Sequence, residues 1–519
     1  MPIKNTPIIY KSFELSKTGL PVPIFNSGKP MHSKYNPEKE AEFFAQNIEK
    51  ADFFVVLGIG SGFHIQKLAE TFPNSKIIGI EGFDEDIEFL KSNSKTCANL
   101  EKNENVVICS EKKLTENLCK HWIPAIYPSF SIIEYRSWRA ENLNLAESIK
   151  KSIKATVEKI GADYSVQVHF GKIWMHNILN NLKRNAKYSI NFADIKINKN
   201  KKAIVVAAGP SLESKIQYLK EKRNECTIIS TDTAYKTLLS CNIESDFVCS
   251  VDAQNVSTEH FSKKNSNLNT IFVFDLASNP SIPSMLLKNK KKILFINSGH
   301  PLTCYIQLVC KKLAFEKLDT GSGTVTIAAL DFAKKLGFSK IEILGADFSY
   351  PNAKPYCKGT YLEQSFIANM NKLLPLETLY NKLMFRTKLI ELNGCKTSQT
   401  LLSYKNSLEE WILKNNFNYK KQDYIYFLNK IKERHNSDNS QNDVLYNQYN
   451  SDNNFDYNYL KSILKEEILK EKKHKLNKFA LTNLEKSMLP YISYLRKKEG
   501  NSNFENLINL ALHDFVRYT

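Results

Sequence analysis

Residues 202–213 read KAIVVAAGPSLE. Six β-branched or small apolar residues in a row, Ala203 to Ala208, mark a strand buried on both faces, and such strands belong to parallel sheets covered by helices on either side. The Gly209-Pro210-Ser211 turn that follows predicts a helix from near Leu212. A strand that ends at a helix N-terminus presents free backbone N–H groups and the positive end of a dipole, a setting for an anion, and Gly209 would let a phosphate come close to the main chain. An ordinary strand-to-helix turn is the alternative reading of this segment.

Working outward, residues 200–365 alternate strand and helix patterns with short turns. Strands are expected at 203–208, 226–230, 246–251, 270–275, 292–297 and 341–345, with a helix at 324–336 after the turn Asp319-Thr320-Gly321-Ser322-Gly323. This predicts an α/β fold with a doubly wound parallel sheet, whose ligand edge lies beyond the carboxyl ends of the strands. Four segments fall there: Gly209-Pro210-Ser211; Asp232 and Thr233 after the second strand; Asp252 after the third; and Gly321-Ser322-Gly323-Thr324 together with Asp347. Two glycine turns opening helices plus three strand-end acids suit a nucleotide, although an acid at a strand end also serves as a plain helix cap. The GxxxxGK[ST] phosphate loop is absent from the chain.

Upstream, Phe53 to Leu57 predicts a strand, Gly58-Ile59-Gly60-Ser61-Gly62 a glycine loop, and Lys76 to Glu81 a second strand ending in an acid. That spacing suits a Rossmann unit holding a nucleotide, with Glu81 on the ribose hydroxyls. It also resembles the cofactor loop of S-adenosylmethionine-dependent methyltransferases. Tight packing of helix on strand would need the same glycines. The domain reading is therefore an N-terminal Rossmann-like domain at 1–135, a helical bridge at 136–199, a central domain at 200–365, and a helical C-terminal region at 366–519 containing an Asn/Asp/Ser/Tyr-rich linker at 435–458.

The chain has 72 Lys and Arg against 54 Asp and Glu, a formal charge of +18, which suits an acidic or phosphorylated partner. The charge is scattered rather than gathered in an arm, so nucleic acid is not expected. Ten cysteines without a CxxC pair read as reduced, buried thiols and not as a zinc site. No signal peptide or uninterrupted apolar run of spanning length is present, so a cytoplasmic protein without a membrane span is expected.

The runs AAGPSL, TDTAYKTLL, DFVCSVDAQ, GSGTVTIAALDFAKKLGF and ILGADFSY resemble the central domain of the bacterial motility accessory factor family, the flagellin glycosyltransferases. His32 to Ala41, the loop at 57–62 and Phe170 to Leu182 resemble that family's flanking region, so the likeness covers roughly residues 10–365. The central domain is similar to bacterial sialyltransferases and to archaeal 6-hydroxymethylpterin diphosphokinases. The resemblance implies transfer of a nonulosonic acid, of pseudaminic or legionaminic type, from a CMP-activated donor to Ser or Thr of flagellin. It implies no resident cofactor or metal site, and is compatible with a divalent cation alongside the donor. Carried over by position, Gly209, Pro210, Ser211, Gly321, Ser322, Gly323 and Thr324 would contact the nucleotide and its phosphate. Asp232, Thr233 and Asp252 would lie near the cytidine or ribose, and Asp347 would face the sugar. His300 is then a candidate base, while Tyr350 and Tyr356 would hydrogen-bond the departing phosphate. One departure is the run Pro355 to Tyr361, where the family commonly has a histidine. Other classes consistent with the sequence are a pterin diphosphokinase using ATP and a non-catalytic flagellin-binding protein.

Overall fold

The computed structural model describes residues 7–198, 201–261, 269–321, 323–392, 394–415, 456–471, 473–500 and 502–519. It divides into two compact units, Met1–Gly171 with His474–His513, and Lys172–Lys473 with Asp514–Thr519. Ser322 and residues 435–455 of the expected linker lie outside the described residues.

In the first unit an antiparallel pair, β1 (Tyr10–Leu15) and β2 (Pro21–Phe25), precedes a parallel four-stranded sheet. Its strands are β3 (Phe53–Leu57), β4 (Lys76–Glu81), β5 (Val106–Ser110) and β6 (Phe130–Glu134), in the order β5-β4-β3-β6. All of β3 and β4 is buried, as continuous apolar runs require when helices cover both faces. The helix Asn483–Glu499 also belongs to this unit, where Arg496 donates from Nε and Nη2 to the Ala125 carbonyl at 3.1 and 2.8 Å.

The second unit is built on seven parallel strands: β7 (Lys202–Val206), β8 (Cys226–Thr231), β9 (Phe247–Ser250), β10 (Ile271–Asp275), β11 (Lys292–Asn297), β12 (Glu316–Lys317) and β13 (Ile341–Leu344). Their order is β12-β11-β10-β9-β8-β7-β13. Alternation along β7 fills both cores. Ala203, Val205 and Ala207 meet Ile327, Leu330 and Trp411 on one face, while Ile204, Val206 and Ala208 meet Leu212, Leu219 and Leu238 on the other. The chain winds from β7 through β12 in one direction and then returns to place β13 on β7's free side. The reversal sets the carboxyl ends of β7 and β13 side by side at a topological switch point, the place where open α/β sheets bind ligands.

Two local expectations are corrected. After Gly209 the chain forms a 3-10 turn, Pro210–Lys215, and turns α-helical only at Ile216–Lys222. Within the stretch read as helical, β14 (Leu389–Leu392) and β15 (Cys395–Ser398) pair as antiparallel strands. The Asn393-Gly394 pair between two short runs is a hairpin signal that outweighs the helical composition around it, and Gly394 takes a φ of +74°.

Candidate functional site

At the β7–β13 switch point the two strand ends lock together. Gly209 N donates to Gly345 O at 2.7 Å, and Ser211 N donates to Asp347 Oδ2 at 2.8 Å, with Ser211 Oγ donating to the other carboxylate oxygen. A Cβ on Gly209 would fall into the Asp347 carboxylate and 2.5 Å from Gly345 O, so only glycine fits. The N–H that the sequence assigned to a phosphate is held here by the protein's own carboxylate. The missed hairpin steadies this loop: Thr397 Oγ1 donates to Phe348 O at 2.7 Å and Tyr350 N to Lys396 O at 2.8 Å. Phe348 sits at a φ of +48°, a conformation a bulky side chain holds only when its surroundings impose it.

Next along the rim, Thr231 caps the helix Asp232–Ser240 by accepting from Ala234 N at 3.3 Å. Asp232 is 2% exposed, in the first turn of that helix, where the dipole favours a negative charge. Its Oδ1 accepts from Thr233 N and Oγ1 at 2.7 and 3.1 Å, and its Oδ2 from Ser250 Oγ at 2.7 Å. Beyond β9, Asp252 accepts from Gln254 N at 3.0 Å and Ser257 Oγ at 2.6 Å.

Two tyrosines and a histidine face these acids. Burial, then the other rim tyrosines and Asp232, push the Tyr356 phenol up to about 12. Tyr361 is raised by burial and by Asp252 and Asp232. Cys357 N donates to Ala208 O at 2.9 Å, which ties the 355–361 run to the end of β7. His260 was missed in the sequence because it sits in a polar stretch, Asn255–Phe261, with no strand to place it. It is buried edge-on against Tyr361, with ring centroids 4.4 Å apart.

The loops that carry Asp252 and the end of β10 hang from a ladder of asparagines at the end of the helix Leu143–Arg184 and on the residue that follows it. Asn177 Nδ2 donates to Ala253 O and Ala277 O, both at 3.0 Å. Asn181 Nδ2 donates to Leu276 O and Ser278 O at 2.9 and 2.8 Å, and Asn185 Nδ2 to Pro280 O at 3.2 Å. Spacing of four puts all three on one helix face.

Other expected site residues stand apart. His300 caps the helix Pro301–Val309, its Nδ1 accepting from Leu302 N at 3.2 Å, and burial pulls it down to about 4. It follows β11, and β10, β9, β8 and β7 separate that strand from β13, about 24 Å at about 4.8 Å per strand. The strand order thus does not bring His300 to Asp347. Gly321 N donates to Asp319 Oδ1 at 2.8 Å, and Thr324 caps the helix Val325–Lys335. Among the described residues no hydrogen bond joins this turn to Ser211, Asp232 or Asp252.

In the first unit the glycine loop is filled by protein. A Cβ on Gly58 would stand 2.6 Å from Trp138, and one on Gly60 would strike His32. Glu81 accepts from Ile59 N at 3.0 Å, Gly82 N at 3.2 Å, Trp138 Nε1 at 2.5 Å and the Tyr10 hydroxyl at 3.1 Å. Burial lifts its carboxyl to about 7. The ribose reading of Glu81 is therefore corrected: its oxygens are spent on the loop and on an indole, and the glycines serve close packing.

The sequence profile of the 6-hydroxymethylpterin diphosphokinase MptE-like family matches residues 176–353. An uncharacterized protein of Treponema pallidum (strain Nichols) is 41% identical over 115 residues, 22% of this chain and 40% of the relative. A second one is 32% identical over 143 residues, 28% of this chain and 67% of the relative. The chain thus spans well under half of the first relative's length and about two thirds of the second's. Among solved structures, the Maf glycosyltransferase from Magnetospirillum magneticum AMB-1 superposes with a TM-score of 0.50 at 14% identity, over 99% of this chain and 92% of that one. At 32% identity over 67% of that relative's length, the chain belongs to the family of the second Treponema pallidum protein.

Proposed function

We propose that this chain is a glycosyltransferase that moves a nonulosonic acid of pseudaminic or legionaminic type from a CMP-sugar to Ser or Thr hydroxyls of flagellin in the cytoplasm. The observation that carries the reading is the row of Asp232, Asp252, Tyr356 and Tyr361 beside the Ser211–Asp347 lock, along the carboxyl edge of one parallel sheet. The similarity of fold to a Maf glycosyltransferase supports it across the whole length of the chain.

The chemistry suits the residues. Displacement at an anomeric carbon needs a base for the incoming hydroxyl and hydrogen bonds for the phosphate that leaves. Tyr356, held protonated by burial, can donate to that phosphate, and Tyr350 is its neighbour. Asp232 and Asp252 supply acceptors for ribose hydroxyls or a cytosine amino group. The test is the intact mass of flagellin from cells with and without this protein, where the reading expects a nonulosonate increment that vanishes in the deletion strain.

A second reading, transfer of diphosphate from ATP to a pterin alcohol, is favoured by the MptE-like profile over 176–353. Incubation with ATP and 6-hydroxymethylpterin separates the two: production of the pterin diphosphate supports the second, its absence beside transfer from CMP-sugar the first.

A further inference from the structure

His260 ends the short helical segment Asn255–Phe261 that follows Asp252. Its side chain is 7% exposed, and its plane stands at 88° to the Tyr361 ring. A buried polar atom ordinarily finds a hydrogen-bond partner, since leaving it unpaired is costly. Yet Nδ1 of His260 has none among the described residues. An imidazole with an unspent nitrogen, beside carboxylates at the ligand edge of a parallel sheet, is placed to handle a proton.

The charged and titratable groups that face it are Asp232 and Lys236 on the adjoining helix, Asp252 and Glu259 on its own segment, and Tyr361 across the ring contact. Burial and Lys236 hold the imidazole neutral, while Asp232, Asp252 and Glu259 stabilise the cation it becomes on taking a proton. A base that is free at neutral pH and whose charged form has waiting counter-charges is suited to general-base work.

We propose that His260 is the proton acceptor of the transfer reaction, removing the hydroxyl proton of the acceptor as its oxygen attacks the anomeric carbon. The proposal rests on the glycosyl-transfer reading above. One C–O bond forms at the anomeric carbon, and the bond from that carbon to the phosphate oxygen breaks. Its electron pair leaves with CMP, and the hydroxyl proton passes to His260 and then to water. Tyr361, which braces the ring, is a positioning residue.

The test uses the full chain with CMP-pseudaminic acid as donor, flagellin as acceptor, and titration with CMP as a separate binding readout. His260→Ala and His260→Gln should bind CMP as the unaltered chain does and lose transfer about 100-fold or more. Added imidazole should restore part of the rate in His260→Ala. Asp252→Asn removes a charge that favours the imidazolium, so the acid limb of the pH–rate profile should move to lower pH. Retained transfer in both His260 variants overturns the assignment, as does joint loss of CMP binding and transfer without imidazole rescue. Should both variants fail to fold, an unmoved acid limb in Asp252→Asn overturns it instead. If the unaltered chain neither binds CMP nor transfers the sugar, the glycosyl-transfer reading itself fails, which is a different result.

Discussion

Asp232 on β8's carboxyl side and Ser250 at the end of β9 are joined by a hydrogen bond of 2.7 Å from the serine hydroxyl to Oδ2. That bond fixes the carboxylate across two neighbouring strands, with the helix dipole behind it and the other oxygen on Thr233. A carboxylate held this way needs no reorganisation to meet a polar ligand. Ser250→Ala should leave the fold intact and weaken CMP binding, because the freed oxygen must be re-ordered on binding. Calorimetric titration with CMP reads the change; equal affinity in the variant would remove Asp232 from the binding role.

The Ser211–Asp347 lock makes predictions for both stability and activity. Asp347→Ala hands the exposed Ser211 N–H and hydroxyl to water and should cost about 0.5–1.5 kcal/mol in urea unfolding. It should also abolish the added mass on flagellin, as should Ser211→Ala, and circular dichroism should show both chains folded. Gly209→Ala forces a methyl into the Asp347 carboxylate and should cost more than either, about 2–3 kcal/mol.

Buried histidines give the protein an acid-sensitive stability. His64, whose Nε2 lies 2.9 Å from Gly58 O, and His300 are each pulled down to about 4 by burial. The unfolded chain takes up these protons near the ordinary value of 6.5, so stability present above that pH is lost as pH falls toward 4, about 3 kcal/mol per residue. Glu81 acts with the opposite sign. Its carboxyl is raised to about 7, so the stability it contributes is full below about 4.5 and is lost as pH rises through 7. Urea midpoints between pH 4 and 8 should therefore show a gentler acid slope in the native chain than in Glu81→Gln. A matching slope in both would contradict the burial of Glu81.

The packed glycine loop predicts no S-adenosylmethionine binding. Thermal unfolding should be unmoved by millimolar S-adenosylmethionine, and Gly58→Ala should destabilise the chain through Trp138. A ligand-dependent rise in melting temperature would instead mean that the loop opens.

The parallel sheet was legible because continuous apolar runs such as Ile204 to Val206 and Phe272 to Phe274 leave few alternatives, and the six expected central strands each lie within a residue or two of their spans, while the two-residue edge strand β12 (Glu316–Lys317) is too short to carry a pattern and was not expected. Which side of β7 receives β13 was not legible, since strand order depends on the path of a crossover and not on local pattern. That order is why His300, close to the other motifs in the one-dimensional reading, stands strands away from Asp347. The glycine loop at 58–62 shows the opposite failure: spacing alone does not tell a loop emptied for a nucleotide from one filled by Trp138 and His32. The asparagine ladder was available in the spacing of Asn177, Asn181 and Asn185, yet polar residues on a long helix ordinarily face water. His260 had no such signal, because its significance comes from what surrounds it.

The central claim is that one rim of the middle sheet transfers a nonulosonate to flagellin, and the most direct measurement is the intact mass of flagellin from a deletion strain complemented with the native chain or with Asp232→Asn. The account predicts a nonulosonate increment with the native chain and its absence with the variant, both chains being present at equal levels. An unmodified flagellin in the native complement, or an undiminished increment in the variant, would contradict it.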